Sequence, residues 1–333
     1  MSFPDGHQIK GVVSMQVQRS VKKTKPGFIR EIGKNYPLFI MLLPGLIVML
    51  INNYLPMAGV VLAFKKYRLH GNYITSILKS EWVGFKNFEF FFKSPYAYTI
   101  TRNTILYNVV FIILGLVVPV ALAIALNEIT GKRLSKLYQS VMFLPYFLSW
   151  IIVGYLAYSF LSIEFGFLNR GVLQSLGLDP VHWYSEPKYW PLIIIFFQMW
   201  KYTGYNIVVY IAAIAGINQE YYEAAAIDGA KKLQQIRYIT LPMLQPMMII
   251  LTLFAVGRIF NADFGLFFNV TRNSGALYSV TNVIDTYVYN ALRNSSDIGM
   301  TAAAGLYQAV VGCITVSVAN LIVRKIDSDK ALF

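Results

Sequence analysis

Six long apolar runs dominate this sequence: residues 36–64, 102–126, 138–163, 190–215, 242–262 and 300–323. A helix needs roughly 20 apolar residues to cross the hydrocarbon of a bilayer, and a water-soluble core has no use for so many runs of that length. The stretch from Ile105 to Leu126 meets no charge until Glu128, and Ala302 to Val323 is equally clean up to Arg324-Lys325. Only 14% of the residues are charged, against about a quarter in soluble domains. The expected fold is therefore an all-α integral membrane protein with six transmembrane helices. Pro44 and Pro56 predict a kink in the first span or a partial exit from the bilayer.

Several function classes drop out early. Cys313 is the sole cysteine, so no internal disulfide or cysteine metal cluster can form. His7, His70 and His182 lack partners at ligand spacing, which argues against a metal enzyme. The net charge of +13 might have pointed to nucleic acid, but seven basic residues sit in 1–35, ahead of the first apolar run. Such a tail suits the cytosol beside anionic headgroups, and its length does not suit a cleavable signal. An even number of spans puts both termini on one side. If that side is the cytosol, inside segments hold 16 basic residues in 82 positions and outside segments 10 in 100. Basic residues concentrate inside, so both termini are expected in the cytoplasm of a multi-pass cell-membrane protein. The expected organisation is a basic tail, 1–35, and one membrane domain, 36–333, with an inside loop at 216–241.

That loop reads Glu223-Ala224-Ala225-Ala226-Ile227-Asp228-Gly229-Ala230 and runs on to Ile239-Thr240-Leu241-Pro242. Alanine and glutamate favour a short helix. Gly229 closes it, as a left-handed cap or a close backbone approach. A second short helix is expected over Lys231 to Tyr238, with Pro242 opening span five where its missing N–H does no harm. The pattern predicts two short helices along the cytosolic face. Small side chains at their junction admit a partner surface, and Glu223 and Asp228 offer charge. An ordinary amphipathic linker has the same pattern.

Glu223-Ala224-Ala225, Asp228-Gly229-Ala230 and Ile239-Thr240-Leu241-Pro242 together resemble the "EAA" signature of permease subunits in binding-protein-dependent ABC importers of type I. Trp82-Val83-Gly84-Phe85-Lys86-Asn87-Phe88, Ser94-Pro95 and Asn103-Thr104 resemble the outer segment and second-span entry of its sugar permeases. Val283-Ile284-Asp285-Thr286-Tyr287-Val288-Tyr289 and Ala302-Ala303-Ala304-Gly305-Leu306-Tyr307-Gln308 look like its polysaccharide and oligosaccharide branch. The similarity runs from Tyr36 to the end. It implies a coupling helix that docks into a groove of a cytosolic ATPase dimer. Glu223 would contact the ATPase, Ala224 and Ala225 would fill the groove, and Gly229 would permit the turn, with Asp228, Ala230, Leu241 and Pro242 completing the segment. The chain carries no phosphate-binding loop of the Gly-x-x-x-x-Gly-Lys-Ser/Thr type. The expectation is no enzyme activity and no cofactor, with ATP-Mg on the partner ATPase. The resemblance also implies a second homologous permease, an extracellular or periplasmic solute-binding protein and a sugar substrate, within membrane lipid and without nucleic acid.

Sugars are gripped by aromatic faces together with amides and hydroxyls, and intramembrane polar groups face the bundle interior. Helical spacing puts Gln198, Tyr202, Tyr205 and Val209 on one stripe of span four, with Asn206 at its edge. Tyr146, Trp150 and Ala157 form a similar stripe on span three, and Arg258 and Asn261 share a face of span five. Gln198, Tyr202, Tyr205, Asn206 and Trp150 are the substrate candidates. Against them stands the common use of Tyr and Trp as interfacial anchors and of polar groups as interhelical ties. Lys201 and Arg258 are expected to reach headgroups or pair structurally. Thr301, Ala304, Gly305, Gln308, Gly312 and Thr315 form a small-residue stripe suited to helix packing, with Gln308 able to line a pathway; Cys313 is a small apolar filler. The sequons Asn269-Val270-Thr271 and Asn294-Ser295-Ser296 carry no weight in the prokaryotic protein that the resemblance implies.

Two other function classes compete. An ion-coupled secondary sugar carrier would call for intramembrane carboxylates or paired broken helices in matching halves, and a membrane glycosyltransferase for an acidic or metal-binding catalytic loop. Acidic residues are absent from the span interiors, with Glu164 and Asp263 at outer ends.

Overall fold

Two prolines, Pro56 and Pro242, are accommodated inside long helices by the same device. In the computed structural model, which describes residues 34–129, 131–295, 297–327 and 331, each is preceded by one wide turn. The predicted basic tail lies outside the described residues up to position 33. The chain divides into two units between Ala58 and Gly59. The first holds most of α1 (Tyr36–Phe64). Before Pro56 its chain widens into a π turn over Leu50–Tyr54, where the Leu55 N–H donates to the Leu50 carbonyl. A proline has no N–H to continue the ladder, and the wide turn absorbs that loss. No residue of Tyr36–Met57 is buried, so its apolar side chains suit hydrocarbon.

The second unit contains four further helices long and apolar enough to cross a membrane: α2 (Ala97–Asn127), α5 (Trp190–Ala215, apolar from Pro187), α7 (Lys232–Gly257) and α9 (Ile298–Ile326). The expected third span, 138–163, is not one straight helix. It is a pair, α3 (Lys132–Phe143) and α4 (Trp150–Leu161), joined through a tight turn at Leu144–Phe147 and bent by 100°. Each has 12 residues, about 18 Å, short of a hydrocarbon core of about 30 Å. Pro145 and Ser149 make the break. Pro145 removes a ladder donor, and the Ser149 hydroxyl accepts the Ile152 N–H to start α4.

The second correction concerns the inside loop. Only one short helix stands free, α6 (Gln219–Ile227). The stretch expected as a second surface helix is the beginning of span five itself, helical without interruption from Lys232 to Gly257. Pro242 does not open that helix. It lies inside, behind a π turn at Ile236–Thr240 whose Leu241 N–H donates to the Ile236 carbonyl. Span five also ends earlier than expected, at Gly257, so Arg258 caps it and Asn261 lies in the loop beyond rather than on a shared helical face.

Helix α5 runs through the packing. Its first half, Ile194 and Phe197, is buried with Tyr107, Val153, Leu266 and Phe267 in one apolar cluster. Its second half, Ile207, Tyr210 and Ile214, is buried with Val120, Ala123 and Leu244 in another. Between the two clusters the helix carries Lys201 to Tyr205. A helix of 26 residues spans about 39 Å, and Lys201 lies near its middle.

Much of the segment between α1 and α2 serves as staples. The Asn87 amide donates to the carbonyls of Ala63 and Lys65, beside a two-residue ladder pairing Lys65 with Trp82 and Lys66 with Glu81. Asn103 donates to the Asn282 carbonyl, and the Thr104 hydroxyl accepts the Ile284 N–H, fixing α2 to the start of α8 (Ile284–Ser295). On α9, a Cβ at Gly312 would lie 2.5 Å from the Gly257 carbonyl oxygen, so the small-residue stripe is an interface there. Gly305 faces open space, however, and Cys313 is exposed rather than filling a gap. Gln308 is buried and donates to the Phe260 carbonyl and to Asp285, an interhelical tie.

Candidate functional site

The break between α3 and α4 is held open by a lysine. Lys201 is 5% exposed, and its ammonium donates to the carbonyls of Tyr146 (3.0 Å), Pro145 (3.5 Å) and Leu148. Those carbonyls belong to the broken end, where the Leu148 N–H reaches that of Pro145 (3.2 Å) and Lys201 supplies a further donor. The same ammonium lies 5.3 Å from the Trp150 ring and 5.8 and 5.9 Å from those of Tyr202 and Tyr146, inside cation–π range. Lys201 therefore pairs structurally and does not reach toward headgroups. Gly204 allows the approach: a Cβ there would stand 1.9 Å from the Met142 carbonyl oxygen and 2.8 Å from the Phe143 Cα.

Around this pivot the structure collects a ring cluster. Tyr146 and Tyr205 stack with centroids 4.8 Å apart, Phe143 stacks on Tyr146 at 5.6 Å, and Tyr202 meets Trp150 edge-on at 6.2 Å. Asp263, expected from the sequence at an outer span end, joins it: the Trp150 indole N–H (2.9 Å) and the Tyr202 hydroxyl (2.8 Å) both donate to one carboxylate oxygen. The Trp150 ring packs against the backbone at Gly265, where a Cβ would lie 2.1 Å from it. Tyr205 is 43% exposed, so the cluster has an open side.

Of the five substrate candidates, Trp150, Tyr202 and Tyr205 come together. Gln198 lies one turn before Tyr202 on α5, and its buried carbonyl oxygen has no hydrogen-bond donor among the described residues. Asn206 is separated from the cluster. It lines a cavity of about 170 Å³ with Gly115, Tyr210 and Thr252, between α2, α5 and α7. Sequence reasoning missed Asp263, Phe143 and the role of Lys201. The legible signal was Lys201 itself, since a charge in mid-span demands partners.

The second site is α6. The Asn218 side chain accepts the Glu220 N–H at the start. At the end the Ala230 N–H donates to the Ala225 carbonyl (2.8 Å) and the Gly229 N–H to that of Ala226 (3.1 Å). These two bonds make a Schellman motif, which needs a left-handed residue, and Gly229 has φ +78°. The Tyr222 hydroxyl lies 2.9 Å from that of Thr240, tying α6 to the π turn, and Lys232 pairs with Glu128 at the end of α2 (3.3 Å). Glu223, Ala224 and Asp228 are exposed and Ala225 and Ala230 half-buried, while Leu241 and Pro242 belong to α7. Within this loop the most exposed large apolar side chains are Ile227 (87%) and Leu233 (79%), which sequence reasoning also passed over. Single surface apolar residues are common, but here two stand close in sequence, one at the last turn of α6 and one at the first turn of α7.

Beyond the C-terminal end of α7, Asp285 accepts from the Ala262 N–H (2.8 Å) and from Gln308 (3.3 Å). Burial raises its carboxyl above the ordinary range, and those two donors pull it partly back.

Comparison with known proteins places this geometry. The family described as binding-protein-dependent transport system inner membrane component matches residues 115–328. Protein LplB of Bacillus subtilis is 33% identical over 292 residues, covering 88% of this chain and 90% of that protein. The polygalacturonan/rhamnogalacturonan transport system permease protein YteP of the same organism is 31% identical over 311 residues, covering 92% and 94%. Among solved structures, a bacterial ABC transporter involved in the import of the acidic polysaccharide alginate superposes with a TM-score of 0.80 at 32% identity. That match covers 90% of this chain and 99% of the other. The alginate transporter in complex with an alginate pentasaccharide-bound periplasmic protein gives a TM-score of 0.79 at 32% identity, covering 90% and 98%.

Proposed function

Because this chain belongs to the family of binding-protein-dependent transport system inner membrane components, we propose that it imports an oligosaccharide released from a polysaccharide. It is one membrane-spanning half of an ATP-driven transporter. A separate subunit hydrolyses the ATP. The observation that carries the proposal is α6, a short capped helix with no buried residue, with Ile227 exposed at its last turn and Leu233 at the first turn of α7. It is joined to α7 through four residues, Asp228 to Lys231, so a push on α6 is delivered directly to a span.

In this reading Glu223 to Ala230 dock on a cytosolic ATPase dimer, which sets the termini in the cytoplasm. A second homologous permease completes the pathway, and a solute-binding protein delivers the sugar on the outer side. The ring cluster of Trp150, Tyr202, Tyr205 and Tyr146 faces the sugar with its open side. Gln198 offers a spare acceptor, and Asp263 orients the donors of Trp150 and Tyr202. Asn206, on another face of α5, lies outside this site. When the ATPases close, α6 moves, α7 follows, and the break held by Lys201 is where the bundle changes between outward and inward openings. Nucleotide and loaded binding protein each bias that equilibrium by their unequal affinity for its two states. Names of similar proteins support the substrate class: polygalacturonan/rhamnogalacturonan for one, alginate for another, arabinooligosaccharides for a third.

Co-expression with the adjoining ATPase, second permease and binding protein, followed by uptake into proteoliposomes, tests the proposal. Gly229→Asp is expected to insert normally and to abolish ATP-dependent uptake. Full uptake by that variant, or purification of the wild-type chain free of any ATPase, overturns it.

A further inference from the structure

Two consecutive non-glycine residues, Arg272 (φ +54°) and Asn273 (φ +48°), hold left-handed backbone in the loop after α7. Side chains disfavour that conformation, so it persists only where the surroundings impose it. Here they do. The Arg272 N–H donates to the Asn269 carbonyl (3.2 Å) and the Asn273 N–H to that of Phe268 (3.0 Å). The Asn273 amide is locked reciprocally to Asn290 on α8 (2.9 and 3.1 Å).

The result is to fix Arg272 on the partition between two cavities. One, of about 420 Å³, is walled by Tyr158, His182, Trp183 and Tyr184; the other, of about 230 Å³, by Tyr155 and Phe268. The larger falls within the range of small-molecule sites, about 300–1,000 Å³. Its walls are stitched together: Ser274 donates to the Tyr184 carbonyl (3.0 Å) and the Tyr184 hydroxyl to that of Val270 (3.3 Å). The larger lies at the C-terminal end of α4, just ahead of α5 and at the opposite end of α5 from α6, and the smaller lies beside the first turns of α4. Tyr158 follows Trp150 by eight residues on α4, about 12 Å farther along the helix.

Arg272 is exposed and makes no ion pair among the described residues, and no carboxylate lines either cavity. Its guanidinium lies over the Tyr158 ring, 4.2 Å from the centroid. Stacking occupies the face of the guanidinium and leaves its N–H edge free, the geometry that grips a carboxylate with two parallel bonds. Aromatic walls around one unspent cation suit a sugar ring bearing a carboxylate. We propose that these cavities form an outer subsite for the uronate residue of an acidic oligosaccharide, with Arg272 binding its carboxylate. The proposal deepens the import reading and rests on it for the substrate class.

Binding is measured without ATP or binding protein, on the transporter assembled in lipid nanodiscs. Short oligogalacturonides and alginate oligomers are titrated calorimetrically against their methyl esters. The wild type is expected to favour at least one acid over its ester by about tenfold, the scale of a charge-assisted bidentate contact. Arg272→Gln is expected to remove the preference and Arg272→Lys to keep part of it. Should Arg272→Gln fail to assemble, Tyr158→Leu, which removes the ring beneath the guanidinium, is expected to reduce the same preference. Indifference of the wild type to esterification, or an unchanged acid-to-ester ratio in the variants, overturns the proposal. So does an unchanged ratio in Arg272→Gln together with weaker capture of the binding protein in a separate pull-down on the same nanodiscs, which assigns Arg272 to a protein contact. Preference for acid without ATP-dependent uptake would instead defeat only the import reading.

Discussion

Replacing Gly204 by alanine adds one methyl group where α5 presses on the broken helix, and the structure fixes what that methyl meets. It would stand 1.9 Å from the Met142 carbonyl oxygen and 2.8 Å from the Phe143 Cα. Carbon atoms pack at about 3.5–4.0 Å, so the two segments must part by more than an ångström. Both obstacles are backbone, which has no rotamer to escape into. The displacement also strains the Lys201 bond to the Tyr146 carbonyl, now 3.0 Å, and opens the Tyr146–Tyr205 stack. Overpacking of this kind costs about 1–3 kcal/mol, and the second loss places Gly204→Ala near about 3. At about 1.4 kcal/mol per decade, that shifts the folding equilibrium by roughly a hundredfold. Reversible unfolding in mixed micelles of mild detergent and SDS, followed by tryptophan emission, reads the shift. Gly305→Ala is the control. Nothing stands within 4 Å of its added carbon, and alanine is favoured over glycine in a helix by about 1 kcal/mol. It is expected to be neutral or slightly stabilising. If Gly204→Ala unfolds with the wild type and retains its apparent affinity for sugar, the pivot at the break is refuted.

Other consequences are as specific. Tyr202→Ala with Tyr205→Ala is expected to raise the substrate concentration needed for half-maximal uptake while leaving basal ATPase activity of the complex measurable; an unchanged concentration would remove the ring cluster from the pathway. Lys201→Met strips the Tyr146 and Leu148 carbonyls of a buried charged donor, while that of Pro145 keeps the Leu148 N–H, and is expected to destabilise the chain by about 2–4 kcal/mol in the same micelle titration, since unsatisfied buried acceptors cost about 1–3 kcal/mol each and apolar packing recovers part. Glu128→Gln, at an exposed pair with Lys232, is expected to change stability by less than about 1 kcal/mol, and a larger loss would mean the pair is not the solvent-screened contact its exposure implies.

Hydropathy located the apolar runs because it measures what bilayer crossing requires, a count of apolar residues. It carries no direction, so the run 138–163 looked like a single span although its chain turns by 100°. Pro145 and Ser149 were the visible signals of that turn, and neither lowers hydropathy enough to divide the run. The inside loop failed differently. Gly229 and Pro242 both look like helix boundaries, but only Gly229 is one, because a π turn lets α7 pass Pro242 unbroken. Helical spacing grouped Tyr202, Tyr205 and Gln198 and kept Asn206 at the edge. Which face of α5 would meet the aromatic residues of the break depended on where Gly204 lets α3 dock, and that is a tertiary contact. Asp263 lies beyond the apolar run that ends span five, so nothing local connected it with Trp150 and Tyr202. The Schellman bonds at Gly229 rest on a local rule, and there sequence and structure agree on a left-handed cap.

Force transmission through α6 can be tested with a single cysteine. In a Cys313→Ser background, Ile227→Cys puts one thiol at the tip of the projection, and a membrane-impermeant maleimide is offered to sealed right-side-out and inside-out vesicles with and without the ATPase. Labelling is expected only from the cytosolic face, with protection when the ATPase is bound. Labelling from the outer face, or equal labelling with the motor present and absent, would contradict it.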